Sequence, residues 1–196
     1  MNKKRITIIG LLLSLSIVIG AVTGLAVNKS DNQNDRVTAV DSNYVSLEDE
    51  FWNVDLIIQG TVVGLGETFQ KDSGVKIKYD NSFPVTPAIV QVDKVLYGET
   101  DNQTITFLQH GSNDNKIDSS KMVKQSENVI LILTKTESGQ YWSYNFEDGI
   151  WKINNGKVKS QTQKEILTSG RGEQELEKFI NKITVAAKNK SKPLTE

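Results

Sequence analysis

Four aromatic residues in the second half of the chain are its best candidates for binding chemistry: Tyr141, Trp142, Tyr144 and Trp151. They lie on two neighbouring predicted strands. Because successive side chains of a strand point to opposite faces, aromatic residues at both odd and even positions cannot all be buried on one face. Exposed rings on a small β-barrel stack against bases, sugars or peptide side chains. We therefore predict a binding surface here; the competing interpretation is that the rings cover the sheet beneath a C-terminal helix.

Three carboxylates lie beside apolar residues, where general acid–base chemistry is feasible: Asp93, Glu147 and Asp148. A glycosidase needs two carboxyl groups at a defined separation. These residues therefore define an alternative function, a carboxylate-dependent hydrolase of cell-wall material. His110 is the only histidine. The chain therefore has no second imidazole that could act with His110 as a metal ligand or as a catalytic partner. Its position at the end of a predicted strand is typical of a surface or rim residue.

A short polar segment is a weak calcium candidate. Asn113, Asp114, Asn115 and Asp118 place side-chain oxygens within six positions, and Ca²⁺ prefers oxygen ligands. The spacing does not match an EF-hand, because the positions of the expected glycine and glutamate are taken by Asp118 and Lys124. The competing interpretation is a solvated loop. No other metal and no cofactor is predicted.

The composition excludes several classes of site and partner. The chain has no cysteine, which excludes disulfides, thiolate metal sites, cysteine nucleophiles and a lipid-modified cysteine. Its formal charge is −1, and three positive charges, Lys3, Lys4 and Arg5, precede a hydrophobic segment, so the rest of the chain carries −4. An acidic domain without a cluster of basic residues is not expected to bind nucleic acid.

The hydrophobic segment is the strongest signal in the sequence. Residues 6–27 carry no charge and follow a basic start at residues 2–5. Their length favours a transmembrane signal anchor, whereas Gly24-Leu25-Ala26 offers small residues for signal-peptide cleavage after Ala26. Both alternatives remain open. In either case the positive residues stay on the cytoplasmic side, so the chain beyond Val27 is predicted to lie outside the cell membrane, anchored or secreted.

The exported part divides by composition into a spacer, a β-rich domain and a helical end. Residues 28–43 are polar and predict a linker; residues 44–160 predict the β domain, 161–190 a C-terminal helical segment and 191–196 a tail. A short helix is expected to begin at Ser46, which can cap its first turn. Leu47, Phe51, Trp52 and Val54 are expected to form its buried side.

Short runs of β-branched and aromatic residues predict the strands. A break in alternation at Val95-Leu96 predicts a bulge, and Asn154-Asn155-Gly156 predicts a hairpin turn. Residues 66–84 predict a long loop, which we interpret as a contact loop through Phe69, Tyr79 and Phe83. The continuous apolar run 129–133 predicts a strand covered on both faces. The predicted strands are 56–64, 86–97, 104–109, 127–134, 140–146, 150–153 and 157–159. Residues 173–188 predict an amphipathic packing helix.

Three segments together resemble a widespread group of uncharacterised exported Gram-positive bacterial domains: Val-Asp-Leu-Ile-Ile-Gln-Gly-Thr-Val-Val (54–63), Ile-Val-Gln-Val-Asp-Lys-Val-Leu-Tyr-Gly (89–98) and Asn-Val-Ile-Leu-Ile-Leu (128–133). The resemblance covers about residues 46–160. It implies a five-stranded OB-like barrel, similar to netrin-like domains and to tissue inhibitors of metalloproteinases. Those inhibitors bind the protease zinc through an N-terminal cysteine, and this chain has no residue for that mechanism.

The sequence therefore predicts a mainly β protein: a five-stranded OB-like, netrin-like barrel with a short N-terminal helix and a C-terminal amphipathic helix, behind a transmembrane or signal helix. The predicted function is a non-catalytic binding or interaction module at the cell surface. Its expected partners are the membrane, through residues 6–27, and a protein or cell-wall polymer. The wall hydrolase and a soluble secreted protein without a fixed partner remain as alternatives.

Overall fold

The computed structural model describes residues 46–74, 81–115, 120–160, 166–167 and 173–192, all of which belong to one compact unit, Ser42–Glu196. The predicted hydrophobic segment and the linker lie outside the described residues. Within the described residues, no helix is long and apolar enough to cross a membrane. The elements, in chain order, are α1 Leu47–Glu50, β1 Leu56–Leu65, β2 Phe69–Asp72, β3 Ser82–Tyr97, β4 Thr104–His110, β5 Asn128–Lys135, β6 Tyr141–Ser143, a 3-10 helix Phe146–Gly149, β7 Ile150–Asn154, β8 Lys157–Lys159, β9 Gln174–Glu175 and α2 Leu176–Lys188.

The protein is mainly β with a C-terminal helix, as the sequence predicts. Strand pairing follows a path that returns to its start: β1 pairs β3, β3 pairs β4, β4 pairs β6, β6 pairs β5, and β5 pairs β1. All of these pairs are antiparallel except β4 with β6, which is parallel and involves only Phe107 with Tyr141 and Leu108 with Trp142. Strands β7, β8 and β9 extend the sheet beyond β5.

Two apolar clusters lie on opposite faces of β5. Ile130 and Ile132 belong to the cluster that includes α1 and α2, whereas Val129, Leu131 and Leu133 belong to the cluster between β1, β3, β4 and β5. All five side chains are fully buried. The prediction that the run 129–133 is covered on both faces is thus confirmed.

The long strand β3 bends where the sequence breaks its alternation. Ile57 pairs with Tyr97 and Ile58 with Val95, so Leu96 is the extra residue of a bulge, which confirms that prediction. Two further register shifts follow along β1 and β3. Bulges of this kind increase strand twist, which allows a sheet to curve back on itself.

The loop predicted over residues 66–84 is wrong in its first part. Phe69–Asp72 form strand β2, which pairs with the start of β3 from Ser82 to Val85. The sequence conceals this strand because all four of its residues are exposed, so no apolar alternation marks it. Strand β3 accordingly begins at Ser82, before the predicted start at residue 86.

The predicted strand 140–146 is also wrong beyond its first half. Strand β6 ends at Ser143, and β7 resumes pairing with β5 only at Ile150. Between them the chain leaves the sheet opposite Ile132, whose carbonyl accepts the Tyr144 N–H at 3.0 Å. We call residues 144–149 the excursion. It carries the 3-10 helix and forms one wall of the site described below.

The two ends of the domain are built largely as the sequence predicts. The Ser46 hydroxyl accepts the Asp49 N–H at 3.2 Å and caps α1, but Trp52 is 42% exposed and is not part of the buried side. Asn154 pairs with Lys157 across Asn155 and Gly156, which both have positive φ, as a type I′ hairpin turn requires. Helix α2 buries Phe179, Ile183, Ala186 and Ala187.

Candidate functional site

A cavity with a volume of about 710 Å³ is lined by residues of the sheet and the excursion. It lies where the two-residue pairing of β4 with β6 ends and the excursion begins. Its size falls within the range of about 300–1,000 Å³ typical of ligand sites. Its lining comes from five separate stretches of chain: Lys71–Ser73, Phe83 and Pro84, Phe107–Gly111, Lys121 and Met122, and Trp142–Glu147 together with Ile150.

Aromatic rings surround His110 at one side of this cavity. Its imidazole stacks on Trp142 with ring centroids 4.6 Å apart and on Phe83 at 4.9 Å. Phe146 approaches the same imidazole at 5.1 Å with its plane tilted by 40°. We call these four residues the aromatic cluster. Strands β3, β4 and β6 position three of its members, because Phe83 is the second residue of β3, His110 ends β4 and Trp142 is the middle residue of β6.

Phe146 is the most exposed large apolar residue among those described, at 61%. Its φ is +39°, a left-handed backbone conformation that is rare for a bulky side chain and costs of order 1–3 kcal/mol. The excursion returns to the sheet through a tight approach at Gly149, where a Cβ would lie 2.6 Å from the Ile132 carbonyl oxygen. An unfavourable backbone thus holds an apolar ring at the mouth of the cavity.

The charged groups of the cavity are balanced in sign. Lys121 forms an ion pair with Glu147 at 2.8 Å, and the Lys121 hydrogen bond holds the pKa of Glu147 below its ordinary value. Lys71 and Asp72 supply a second pair of opposite charges from the exposed strand β2. Burial against the neighbouring rings lowers the pKa of His110, and the charge of Glu147 opposes that shift. The neutral imidazole is therefore favoured at neutral pH.

Two polar residues in the cavity wall carry unsatisfied atoms. Gln109 is 3% exposed; its Oε1 accepts the Val123 N–H at 2.7 Å, while its Nε2 has no hydrogen-bond partner among the described residues. The Tyr144 hydroxyl likewise has none. Burial, followed by the charges of Asp148 and Glu50, raises the pKa of Tyr144, so it remains a neutral phenol. A buried donor without an acceptor costs about 1–3 kcal/mol.

The structure divides the four aromatic residues singled out in the sequence. Trp142 and Tyr144 line the cavity. Tyr141 lies in the core between the strands, and Trp151 is fully buried against Phe179 of α2, with ring centroids 4.1 Å apart. The Trp151 indole N–H donates to the Asp148 carbonyl at 2.8 Å. The residue that the C-terminal helix covers is therefore Trp151, and Trp142 and Tyr144 are the members that line the cavity.

The three candidate carboxylates do not share the cavity. Only Glu147 lines it. Asp93 is exposed on β3, where its Oδ2 accepts the Thr61 hydroxyl at 2.9 Å, and the Asp148 carboxylate accepts the Asn145 amide at 3.0 Å. Because Glu147 is paired with Lys121, it is held as an anion and is a poor general acid.

The calcium candidate is described only in part. Asn113, Asp114 and Asn115 are exposed, and the Asp114 N–H is bound by the Ser112 hydroxyl at 3.2 Å. Asp118 lies outside the described residues. Among the residues that the structure does describe, no group of three or more acidic or histidine side chains could hold a metal ion.

The sequence did not predict several of the residues that line the cavity. Gln109, Lys121 and Phe146 belong to three different segments, and neither spacing nor composition connects them. One available signal is that Phe83, His110 and Trp142 each lie near a predicted strand end, where side chains from different strands can meet.

A smaller cavity of about 150 Å³ lies beside the first and shares Lys121, Glu147 and Ile150 with it.

No protein-family model matches this chain, and no curated protein matches it significantly.

Proposed function

We propose that the chain is a non-catalytic binding module that acts outside the cell membrane, with the cavity beside the aromatic cluster as its ligand site. The observation that carries this proposal is Phe146, an exposed ring held at the mouth of the cavity by a left-handed backbone. Such a conformation persists in proteins mainly where function requires it. Trp142, which stacks on His110 in the aromatic cluster, lines the same cavity.

We further infer that the closed path of β1, β3, β4, β6 and β5 is a five-stranded OB-like barrel of the netrin-like type. The return of the pairing path to β1 supports this proposal, as does the apolar cluster between these strands. On such a barrel the cavity lies at an end of the pairing between two strands, a place where ligands bind in many small barrels.

The proposed location rests on the N-terminal sequence. The basic residues 2–5 followed by the uncharged segment 6–27 favour a membrane anchor with the domain outside, or a secreted protein if cleavage follows Ala26. The partner is then a protein or a cell-wall polymer within reach of the membrane surface.

The alternative proposal, a carboxylate-dependent hydrolase of wall material, has less support. It needs two carboxyl groups close together in the cavity, one of them able to give up a proton. Glu147 is ion-paired with Lys121, and Asp93 is not among the lining residues. Turnover of wall material that is lost in both Glu147→Gln and Asp93→Asn would replace the binding proposal with this one.

The binding proposal is tested with isolated cell walls and matched tryptophan variants. Full-length protein in mild detergent is mixed with walls, and the bound fraction is measured after sedimentation. We expect Trp142→Ala to reduce binding about tenfold and Trp52→Ala, which alters an exposed ring outside the cavity, to leave it unchanged. Wall binding that is equal in both variants would contradict the assignment of the cavity.

Location is tested separately by fractionating cells and sequencing the N-terminus of the mature protein. A full-length species in the membrane fraction is expected for an anchor, and a soluble species that begins at Val27 for a cleaved signal. Protein confined to the cytoplasm would contradict the proposal.

A further inference from the structure

The ligand class of the cavity can be narrowed by its charges. The described lining contains two lysines and two carboxylates, and one of each is already joined in the Lys121–Glu147 pair. The lowered pKa of His110 favours its neutral form. A polyanion such as a phosphate polymer, or a strongly cationic ligand, finds no net opposite charge in this wall. The balance favours an uncharged ligand.

The polar and apolar groups of the lining suit a ligand with one apolar face and oxygens at its edge. Trp142 and Phe146 bring aromatic rings to the lining, and Phe146 is 61% exposed. Lys71, Asp72 and Asn145 bring polar side chains to the same lining. A purely hydrocarbon ligand would cover these polar groups without replacing the hydrogen bonds that water makes to them.

A peptide added as an extra strand fits the surroundings less well. A peptide strand would have to pair with the edge strand that lines the cavity. That strand is β2, which has four residues and carries Lys71 and Asp72. Short length and charged side chains are the features by which edge strands resist pairing with another chain. Side-chain stacking on the aromatic cluster, without strand addition, is therefore the favoured mode.

We propose that the cavity binds uncharged pyranose units of a glycan chain, with the apolar face of a sugar ring against Trp142 and Phe146 and its hydroxyl groups toward the polar side chains of the lining, Lys71, Asp72 and Asn145. This inference rests on the proposed binding function and gives it a ligand class. In this arrangement the left-handed backbone of Phe146 serves the sugar contact.

The test is a calorimetric titration of the full-length chain, in detergent, with chitotetraose, an uncharged oligosaccharide of N-acetylated pyranoses. We expect saturable binding, and we expect the affinity to fall about tenfold or more in Trp142→Ala and Phe146→Gly. The matched controls Trp52→Ala and Phe69→Gly change exposed rings outside the cavity lining and should alter affinity less than about twofold. Phe146→Gly should also keep or raise the melting temperature, because glycine accepts positive φ without strain.

The outcomes separate the two proposals. If isolated walls still bind through Trp142 and Phe146 while chitotetraose does not, the glycan assignment is overturned and the binding function stands. The glycan assignment is equally overturned if a wall stem peptide saturates the site in place of the sugar, or if the control variants lose as much affinity as the cavity variants. If neither walls nor chitotetraose bind, both proposals fail.

Discussion

At the scale of single residues, His110 shows how neighbours change the chemistry of a side chain. The sequence places it at a strand end and indicates a rim residue, and its edge does remain exposed. The structure adds three aromatic rings and the nearby charge of Glu147. No sequence pattern predicts this cluster, because its members are brought together by the pairing of β3, β4 and β6.

We expect His110 to make stability depend on pH in the mildly acidic range. Its pKa is lowered in the folded state from 6.5, so as the pH falls the unfolded chain binds a proton before the folded chain does. The contribution of His110 to the free energy of unfolding is therefore fully present above the pKa of the unfolded chain. It is lost as the pH falls from that pKa to the lower pKa of the folded chain. Urea unfolding at steps from pH 7.5 to pH 5 should show a decrease that His110→Gln reduces.

The neighbouring carboxylate does not obscure that measurement. The pKa of Glu147 is lowered from 4.5, so its contribution is present above that value and is lost only at more acidic pH. A His110→Gln variant with the same pH slope as the parent between pH 7.5 and pH 5 would show that other groups cause the decrease.

At the scale of elements, the strands with buried faces were the ones that the sequence predicted well. The strands β1, β4 and β5 were predicted to within a residue or two because one or both of their faces are apolar. Strand β2 was missed because all of its residues are exposed. The break after Ser143 was missed because the residues of the excursion, Tyr144 and Phe146 among them, favour strands. Their departure from the sheet depends on tertiary contacts opposite Ile132.

Helix α2 offers a direct test of the element that covers the outer face of β5. Phe179 is buried against Trp151, whereas Val185 of the same helix is 46% exposed. We expect Phe179→Ala to lower the free energy of unfolding by about 3–5 kcal/mol and Val185→Ala to change it by no more than about 0.5 kcal/mol. Both values come from urea denaturation followed by circular dichroism, and equal effects would contradict the packing of this helix.

At the scale of the whole molecule, the site is a product of the closed pairing path. The cavity lining is drawn from residues 71 to 150, and each stretch belongs to an element whose own sequence is explained by packing. The sequence therefore predicted the class of fold and two cavity residues of the aromatic cluster, Trp142 as a binding residue and Phe83 as a contact residue. It could not predict the cavity, since its shape depends on where β4 and β6 stop pairing.

The two apolar clusters lead to a last prediction about the boundaries of the folding unit. Every residue in them lies between Leu47 and Ala187, so a fragment that begins at Ser42 should unfold in one cooperative transition. A fragment that ends at Ser160 lacks Phe179, Ile183 and their neighbours, which leaves Trp151 and the outer face of β5 exposed. We expect this second fragment to lose the cooperative transition in thermal circular dichroism, because the lost burial amounts to several large side chains at about 1.5–3 kcal/mol each. A stable, cooperative fragment ending at Ser160 would mean that α2 is an attachment to the fold and not part of its core.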